Sequence, residues 1–179
     1  MEYCHFVNVD PETKQERMQH ITPDFPYGAD LCDLHIFPGN TFPWHWHREL
    51  EIFYMRKGSL TYHLPCGAVT FLQGEGGFIN SNILHKTTCT PEADCIQEEQ
   101  QFLPEFVGVN SLLQRKYVQP ILSSPELSFV KFDPATPEHR PLLELLCSSY
   151  RLYEEKPEGY ELELPQRLLQ FWRLLFELT

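Results

Sequence analysis

Two histidines and a glutamate in one short stretch constrain this chain more than any other feature. His45 and His47 are separated by a single residue, and Glu51 follows four positions after His47. Residues two apart on an extended strand point to the same face, so a continuing strand would bring these three side chains together. Two imidazoles and a carboxylate on one face suit a divalent metal or the polar groups of a small ligand. They can equally hydrogen-bond inside a β-barrel, and the spacing alone leaves both interpretations open.

Glycines flank this stretch at fixed distances. Gly39 lies six positions before His45, and Gly58 lies seven positions after Glu51. The pattern of Gly39, His45, His47, Glu51 and Gly58 resembles the first sequence motif of the cupin family without a departure. The resemblance implies a cupin barrel, in which the histidines and the glutamate of this motif bind a metal.

A second stretch resembles the second cupin motif less closely. Its glycine and histidine match at Gly74 and His85, whereas Asn80, Asn82 and Cys89 replace the usual proline, glycine and asparagine. The resemblance implies four metal ligands, which are His45, His47, Glu51 and His85. Nitrogen and oxygen ligands of this kind suit Zn, Ni, Fe or Mn.

The two stretches together are similar to the sensor domain of AraC-type transcription regulators. They read HWHRELEIFYMRKGSLTYHL and GEGGFINSNILHK. In that family the barrel binds a small effector, two following helices form a dimer contact, and a C-terminal half with helix-turn-helix motifs binds DNA. The resemblance implies an effector-sensing and dimerisation domain that acts on transcription through such a half. This sequence stops at Thr179 within an apolar run, so we expect the natural protein to continue.

Turn residues and apolar patterns predict a mainly β fold with C-terminal helices. Short strands separated by glycine and proline turns indicate a barrel or sandwich. With the resemblance, we predict a cupin barrel, a jelly-roll-like double-stranded β-helix, over residues 31–107. A helical dimerisation and linker region follows at 108–179. Residues 1–30 are polar and interrupted by prolines, and we predict an arm that packs on the surface or closes over the barrel mouth.

Several element boundaries are predicted within these ranges. Strands are expected over residues 30–37 and 50–55, with a turn at Lys57–Ser59 after the second. Thr136 and Pro137 are typical of a helix start, and Pro165 is expected to open the last helix.

Two further sets of residues are predicted to meet partners. The first would line an effector pocket suited to a sugar or a small aromatic compound, because aromatic rings stack on both: Phe53, Tyr62, Phe78 and Asn80. The second would form a homodimer contact, because the apolar stripe of the last helix is wider than one core-facing side requires: Leu168, Trp172, Leu175 and Phe176. Which pocket residues point inward depends on the strand register.

Charge and composition narrow the partners and the compartment. The chain carries 14 basic and 25 acidic residues, a net charge of −11, so it should not bind DNA by itself. It has no run of 18 apolar residues and no signal peptide pattern, which predicts a cytoplasmic protein without a membrane span. Its six cysteines show no paired spacing and are expected to be free thiols.

Two alternatives to the sensor domain remain open. A metal-dependent cupin enzyme, such as a dioxygenase or a sugar-phosphate isomerase, would use the same four ligands. Against an enzyme, no further acid, base or Arg/Lys cluster lies near the motifs. A purely structural dimerisation module would explain the helices but not the polar residues.

Overall fold

Antiparallel strands form most of the first hundred residues, as the turn spacing predicted. The computed structural model describes residues 8–18, 21–92 and 94–179. Eight strands lie in these residues: β1 Tyr27–Asp33, β2 Thr41–His45, β3 Leu50–Leu64, β4 Gly67–Leu72, β5 Gly76–Ile79, β6 His85–Thr88, β7 Cys95–Phe102 and β8 Phe129–Phe132. The central order is β1-β7-β3-β5-β8, while β4 and β6 also pair with β3 and β2 pairs with β6. The strands thus form a barrel-like sheet that does not close on itself.

The longest strand, β3, runs through both halves of this barrel. Its first part pairs with β5 and β7, and its second part pairs with β4 and β6. The register shifts between Met55 and Lys57, and Gly58 beside them has a φ of 74°. A Cβ atom at Gly58 would lie 1.5 Å from the carbonyl oxygen of Asp94, so only glycine fits this bulge. The turn predicted at Lys57–Ser59 is therefore wrong, because the strand bends there without reversing.

The first strand also differs from its prediction over residues 30–37. It begins at Tyr27 and ends at Asp33. A side-chain oxygen of Asp33 accepts a 3.0 Å hydrogen bond from the backbone N–H of His35 and caps a 3-10 turn over Leu34–Ile36. This local side-chain to backbone bond competes with the strand and ends it.

The helices come after β7, and β8 separates α2 from α3 along the chain. They are α1 Ser111–Leu113, a π-helical turn Gln114–Val118, α2 Gln119–Leu122, α3 Arg140–Glu155 and α4 Tyr160–Leu178. The Asn110 side chain caps α1 by accepting two backbone N–H bonds. No helix in the described ranges is long and apolar enough to span a lipid bilayer.

The starts of the two long helices differ from their predictions. Thr136 makes no side-chain capping bond, and a 3-10 turn over Pro137–His139 precedes α3. Helix α4 begins at Tyr160, so Pro165 lies inside it rather than at its start. Acidic residues in the first turn of α4 favour this earlier start, since they interact well with the helix N-terminus.

Two apolar clusters lie on opposite faces of the sheet. The cluster inside the barrel includes Phe53, Met55, Tyr62, Phe71 and Ile79. The cluster between the sheet and the helices includes Leu50, Ile52, Phe78, Phe102, Leu146, Leu168, Phe171 and Trp172. Successive residues of β3 alternate between the two clusters, as the two-residue period of a strand requires.

The sheet draws on residues from all three predicted ranges. Strand β1 begins within the range 1–30, and β8, which the sequence did not predict, comes from the range 108–179. Residues 1–7, 19 and 20 of the predicted arm lie outside the described residues. The division into arm, barrel and helical region stays a prediction.

Candidate metal centre

The end of β2 places two histidines in the barrel interior. His45 is the last residue of β2, and His47 follows after Trp46. The two histidine residues are only 5% and 1% exposed, and their ring centroids lie 5.8 Å apart. Both imidazoles therefore lie on one side of the chain, as their spacing predicted.

Strand β6 brings a third histidine to this pair. His45 and His85 are directly opposite each other across β2 and β6, and their ring centroids lie 4.1 Å apart. The candidate ligand atoms of His45, His47 and His85 all lie within 4.8 Å of one another. The three buried imidazoles form one cluster, which we call the histidine cluster.

Two asparagines build the turn that presents His85. Asn82 has a φ of 62°, a left-handed conformation that asparagine tolerates better than most residues. Its backbone N–H donates a 2.8 Å hydrogen bond to the carbonyl oxygen of His47. The Asn80 side chain donates to the carbonyl oxygen of Ile121 in α2 at 2.9 Å. The replacements in the second motif therefore still support a turn that delivers His85 to the cluster.

Backbone carbonyl groups orient all three imidazoles. The Nδ1 atoms lie 2.8, 3.0 and 2.8 Å from the carbonyl oxygens of Pro43, Glu49 and Ile83, in the order His45, His47 and His85. An Nδ1–H that donates to a carbonyl leaves Nε2 with its lone pair, the form that binds a metal. Burial, followed by the charges of His85 and His47, lowers the pKa of His45 well below its usual value. That ring is therefore neutral at physiological pH.

Glu51 brings a carboxylate to one side of the cluster. Its Oε2 atom lies 3.2 Å from Nε2 of His47 and 3.5 Å from Nε2 of His85. Its Oε1 atom accepts a 2.5 Å hydrogen bond from the Tyr62 hydroxyl. Burial raises the pKa of Glu51, but hydrogen bonds and charge from His47 and His85 outweigh burial and lower it overall. The structure thus brings all four predicted ligands together.

A second carboxylate, which the sequence did not predict, approaches from residues 8–18. Glu16 is buried, and its Oε2 atom lies 3.4 Å from Nε2 of His45. Burial, together with the negative charge of Glu51, raises the pKa of Glu16 to about 8. Glu16 precedes His45 by 29 residues in a polar segment, so no spacing rule could have found it.

The donor atoms fit a divalent transition metal. Zn²⁺ lies about 2.0–2.2 Å from nitrogen and oxygen ligands, so neighbouring ligand atoms are about 2.8–3.6 Å apart, from six-coordinate to four-coordinate geometry. The contacts of Glu51 and Glu16 with the imidazoles span 3.2 to 3.5 Å. Because each Nδ1 faces a backbone carbonyl, the Nε2 atoms and the carboxylate oxygens face one another, and a proton or a metal cation between them is stabilising. The residues therefore fit Zn, Ni, Fe or Mn.

Polar side chains of β7 line the interior beside this centre. They are Gln97, Glu99 and Gln101, which lie directly opposite Met55, Phe53 and Glu51 of β3. Gln97 and Gln101 each donate an amide hydrogen bond to the Glu99 carboxylate. The Oε1 atom of Gln101 is buried and has no hydrogen-bond partner among the residues that the structure describes. Burial, followed by the charges of Glu51 and Glu16, raises the pKa of Glu99 well above its usual value.

The predicted pocket residues divide between the two faces of the sheet. Phe53 and Tyr62 lie inside the barrel, where their rings stack at a centroid distance of 4.6 Å. Phe78 instead faces the helices, and its ring lies 6.0 Å from that of Trp172. Asn80 is engaged by α2, so neither Phe78 nor Asn80 joins the interior group. The register of β5 decides this, since neighbouring residues on a strand face opposite sides.

The predicted dimer residues lie mostly inside the chain. Leu168, Trp172 and Leu175 are at most 3% exposed, and only Phe176 is half-buried. The indole N–H of Trp172 donates a 3.0 Å hydrogen bond to the carbonyl oxygen of Tyr117. Helix α4 is covered by the sheet on one side and contacts the 111–122 helical segment on another, which explains its wide apolar stripe. The three fully covered side chains leave no surface for a second copy.

Comparison with known proteins places this chain beside a transcription regulator. No family model matches it. The uncharacterized HTH-type transcriptional regulator YdeC of Bacillus subtilis (strain 168) is 24% identical over 161 residues, which cover 90% of this chain and 55% of YdeC. The chain thus spans about half the length of this relative. The similarity to regulators predicted from the motifs is confirmed.

One solved structure shares the fold over most of this chain, and a second is similar to part of it. Apo ToxT K231A from Vibrio cholerae strain SCE256 matches 85% of this chain and 56% of its own, with a TM-score of 0.54 and 11% identity. A cupin-2 domain containing protein from Shewanella frigidimarina NCIMB 400 matches 43% of this chain and 71% of its own, with a TM-score of 0.37 and 23% identity. The likeness to ToxT extends well beyond the strands, and the predicted fold class of a cupin barrel followed by helices is confirmed.

Proposed function

We propose that this chain, which is similar to the sensor domains of AraC-type regulators, is the effector-sensing and dimerisation part of a cytoplasmic transcription regulator. The barrel binds a small molecule, and the helices transmit its presence to a helix-turn-helix half elsewhere in the protein. The relationship to an HTH-type regulator over 90% of this chain carries the proposal. The net charge of −11 supports assigning DNA contact to that other half.

Strand β7 offers a physical route between the effector and the helices. Glu99 and Gln101 face the barrel interior, while Gln100 between them faces the helices. The Gln100 amide donates a 3.0 Å hydrogen bond to the carbonyl oxygen of Leu146 in α3 and accepts one from the Tyr27 hydroxyl at 2.7 Å. A ligand that moves Gln101 therefore also moves the neighbouring anchor of α3.

The barrel interior favours an effector rich in hydrogen-bond donors. Its polar groups beside the histidine cluster are Glu16, Glu51, Tyr62, Gln97, Glu99 and Gln101. The unpartnered Oε1 of Gln101 accepts hydrogen bonds only, and a buried acceptor is costly without a donor. One face of Phe53 is already covered by Tyr62, which leaves less ring surface for an arene. We therefore favour a sugar or another polyol over a small aromatic compound.

A bound metal would be held by the histidine cluster with Glu51. Zn, Ni, Fe or Mn in this position would act as a Lewis acid that attracts an effector oxygen. The chain's own contribution is orientation, since the carbonyl bonds to Nδ1 aim each Nε2 at one point. The Tyr62 hydroxyl fixes the Glu51 carboxylate in the same way.

The proposed function includes dimerisation, and the contact between the two subunits would lie on the outer side of α4. Leu162 on this helix is 75% exposed, and Phe176, about 40° from Leu162 around the helix axis, is half-buried. Two copies related by a two-fold axis would bury the same patch from each subunit.

A metal-dependent enzyme is the second candidate, because the ligand set predicted for one is assembled. The regulator relative weighs against it, and so do the contacts of the nearby groups. Tyr62, Gln97 and Gln101 bond to carboxylates of the same interior and are engaged in orienting them. We therefore favour binding without turnover.

The reading frame after the codon for Thr179 tests the regulator assignment. We expect it to encode two helix-turn-helix motifs. A stop codon at that point would contradict the assignment and favour the enzyme.

The metal is tested by substituting one ligand. Untagged wild-type protein should contain close to one transition metal per chain by elemental analysis, and His47→Ala should abolish this while circular dichroism stays unchanged. His63→Ala is the matched control, because His63 lies on β3 away from the cluster and bonds to Thr88. Wild-type protein that is metal-free and cannot be reloaded would contradict the metal site but not the sensor.

A further inference from the structure

The N-terminal segment docks on the edge of the histidine cluster. Val9 and Glu16 form an antiparallel bridge, which makes residues 8–18 a hairpin. The Asp10 carboxylate accepts two backbone N–H bonds of 2.9 and 2.8 Å at its turn. The hairpin is therefore an ordered unit with its own hydrogen bonds.

Trp46 is the docking point of this hairpin. The Glu16 N–H donates to the Trp46 carbonyl at 2.8 Å, and the Trp46 N–H donates to the Lys14 carbonyl at 3.0 Å. The Trp46 indole N–H donates to the Thr13 carbonyl at 2.9 Å. Because Trp46 lies between His45 and His47 in sequence, these bonds fix the hairpin relative to both ligands.

The docked hairpin directs the Glu16 carboxylate at the cluster. Glu16 is 8% exposed although its neighbours Gln15 and Arg17 are more accessible. Its Oε2 atom lies 3.4 Å from Nε2 of His45. Among the described residues, Glu51 forms ion pairs with His47 and His85 but not with His45. Glu51 thus contacts His47 and His85, whereas Glu16 contacts His45.

Two atoms that can each bind a metal face each other at this contact. The Nδ1 atom of His45 is engaged by the Pro43 carbonyl, so Nε2 carries a lone pair, which can accept the Glu16 proton in metal-free protein or bind a metal that displaces this proton. Their separation of 3.4 Å lies within the roughly 2.8–3.6 Å between neighbouring ligand atoms around one metal ion, from six-coordinate to four-coordinate geometry. A metal between them would satisfy both atoms.

We propose that Glu16 is a further ligand of the metal held by the histidine cluster, and that metal binding thereby fastens the 8–18 hairpin to the barrel. This rests on the metal part of the proposed function and adds a ligand from outside both cupin-like motifs. Metal occupancy and hairpin docking are then coupled, and each strengthens the other by the same factor.

Metal affinity tests the ligand directly. Ni²⁺ is titrated into untagged, chelator-stripped protein in competition with a chromogenic chelator. Glu16→Gln should weaken Ni²⁺ binding at least about tenfold, within the range seen when groups supporting a metal are removed. The matched control is Glu12→Gln, an exposed change of the same kind in the same hairpin, which should stay within about twofold of wild type.

Trypsin cleavage tests the coupling in the unmodified chain. Lys14 and Arg17 are exposed cleavage sites within the hairpin. Saturating Ni²⁺ should slow cleavage there by about the same tenfold factor, because coupling is reciprocal. The metal should have no such effect in His47→Ala, nor should it protect the hairpin of Glu16→Gln.

The outcomes separate this inference from the proposal on which it rests. Wild-type protein that binds Ni²⁺ while Glu16→Gln binds it equally well would overturn the role of Glu16 and leave the metal centre intact. Unchanged cleavage of the wild-type hairpin with Ni²⁺ would overturn the coupling. Wild-type protein that binds no metal would overturn both the metal centre and this inference, and the sensor assignment would remain.

Discussion

The two faces of the central sheet differ in polarity, although the same strands form both. Facing the helices, Leu50 and Ile52 of β3 pack in an apolar cluster with Trp172 of α4. Facing the barrel interior, Glu51 contacts two histidines, and the next inward residue, Phe53, lies opposite Glu99. A shift of one residue along β3 separates a mostly apolar environment from one rich in ionisable groups.

Because of this difference, the helix-facing residues of a strand mainly stabilise the fold, whereas its interior residues mainly bind ligands. Apolar burial on the helix face stabilises the fold by roughly 1.5–3 kcal/mol for each large side chain. Carboxyl groups buried on the interior face cost free energy unless a partner compensates them. The helix face should therefore govern unfolding with little influence on metal binding, whereas the interior should respond to metal and to pH.

The largest expected effect is on the helix face. Trp172→Ala should lower the free energy of unfolding by about 3–5 kcal/mol, because it empties a buried site and frees the Tyr117 carbonyl. Denaturant titration of the metal-free protein measures this change. Ni²⁺ affinity of the folded variant should remain that of wild type.

Leu162→Ala is the control for this substitution. Leu162 lies on the same helix but is 75% exposed, so its truncation should change stability by less than about 0.5 kcal/mol. Equal losses in the two variants would mean that Trp172 does not pack in the core.

The polar face was the more predictable of the two. Its ligands follow two short motifs, and the spacing of His45 and His47 places both on one side. The continuous strand expected through Glu51 does not form, because β2 ends at His45 and Glu51 joins the cluster from β3. The helix face depends on how separate segments cover one another. The stripe on α4 indicated two apolar contacts, but only the structure shows that α3 and the 111–122 segment of the same chain cover α4 beside the sheet.

Long-range pairing accounts for what the sequence could not predict. Strand β8 is a four-residue segment whose place in the sheet depends on β5, some 50 residues earlier. Glu16 reaches the cluster only because its hairpin bonds to Trp46. The bulge at Gly58 depends on the close approach of Asp94, which no local pattern near Gly58 encodes.

The second effect concerns pH and the interior face. In metal-free protein the pKa of Glu16 is raised to about 8, so folded protein keeps a proton that unfolded protein loses above a pH of about 4.3. The contribution of Glu16 to stability is therefore full below that pH and declines as pH rises towards 8. Stability of Glu16→Gln relative to wild type should rise by roughly 2–4 kcal/mol between pH 5 and 8.

Urea titrations at several pH values measure this difference. Subtracting the two curves removes the contribution of the histidines that both proteins share. Glu12→Gln should run parallel to wild type across the range. If Glu16→Gln also ran parallel, the Glu16 carboxyl would not be held in the buried environment described here.

The smallest effect tests the turn that joins the two faces. Asn82 holds a left-handed φ of 62° in the turn before His85, and its N–H bonds to the His47 carbonyl. A Cβ-bearing residue without a polar side chain pays roughly 1–2 kcal/mol in this conformation. Asn82→Ala should therefore destabilise the protein by about 1 kcal/mol and weaken Ni²⁺ binding slightly, because the turn positions His85.

Asn82→Gly separates the backbone effect from the side-chain effect. Both variants lose the 2.8 Å hydrogen bond from the Asn82 amide to the Ser81 hydroxyl, but glycine adopts the left-handed conformation without strain. Stability and Ni²⁺ affinity of Asn82→Gly should thus lie close to wild type. If the glycine variant lost as much stability and Ni²⁺ affinity as the alanine variant, the side-chain hydrogen bond and not the dihedral angle would hold the turn. The amide of Asn82, rather than its backbone conformation, would then explain why asparagine suits this position of the second cupin motif.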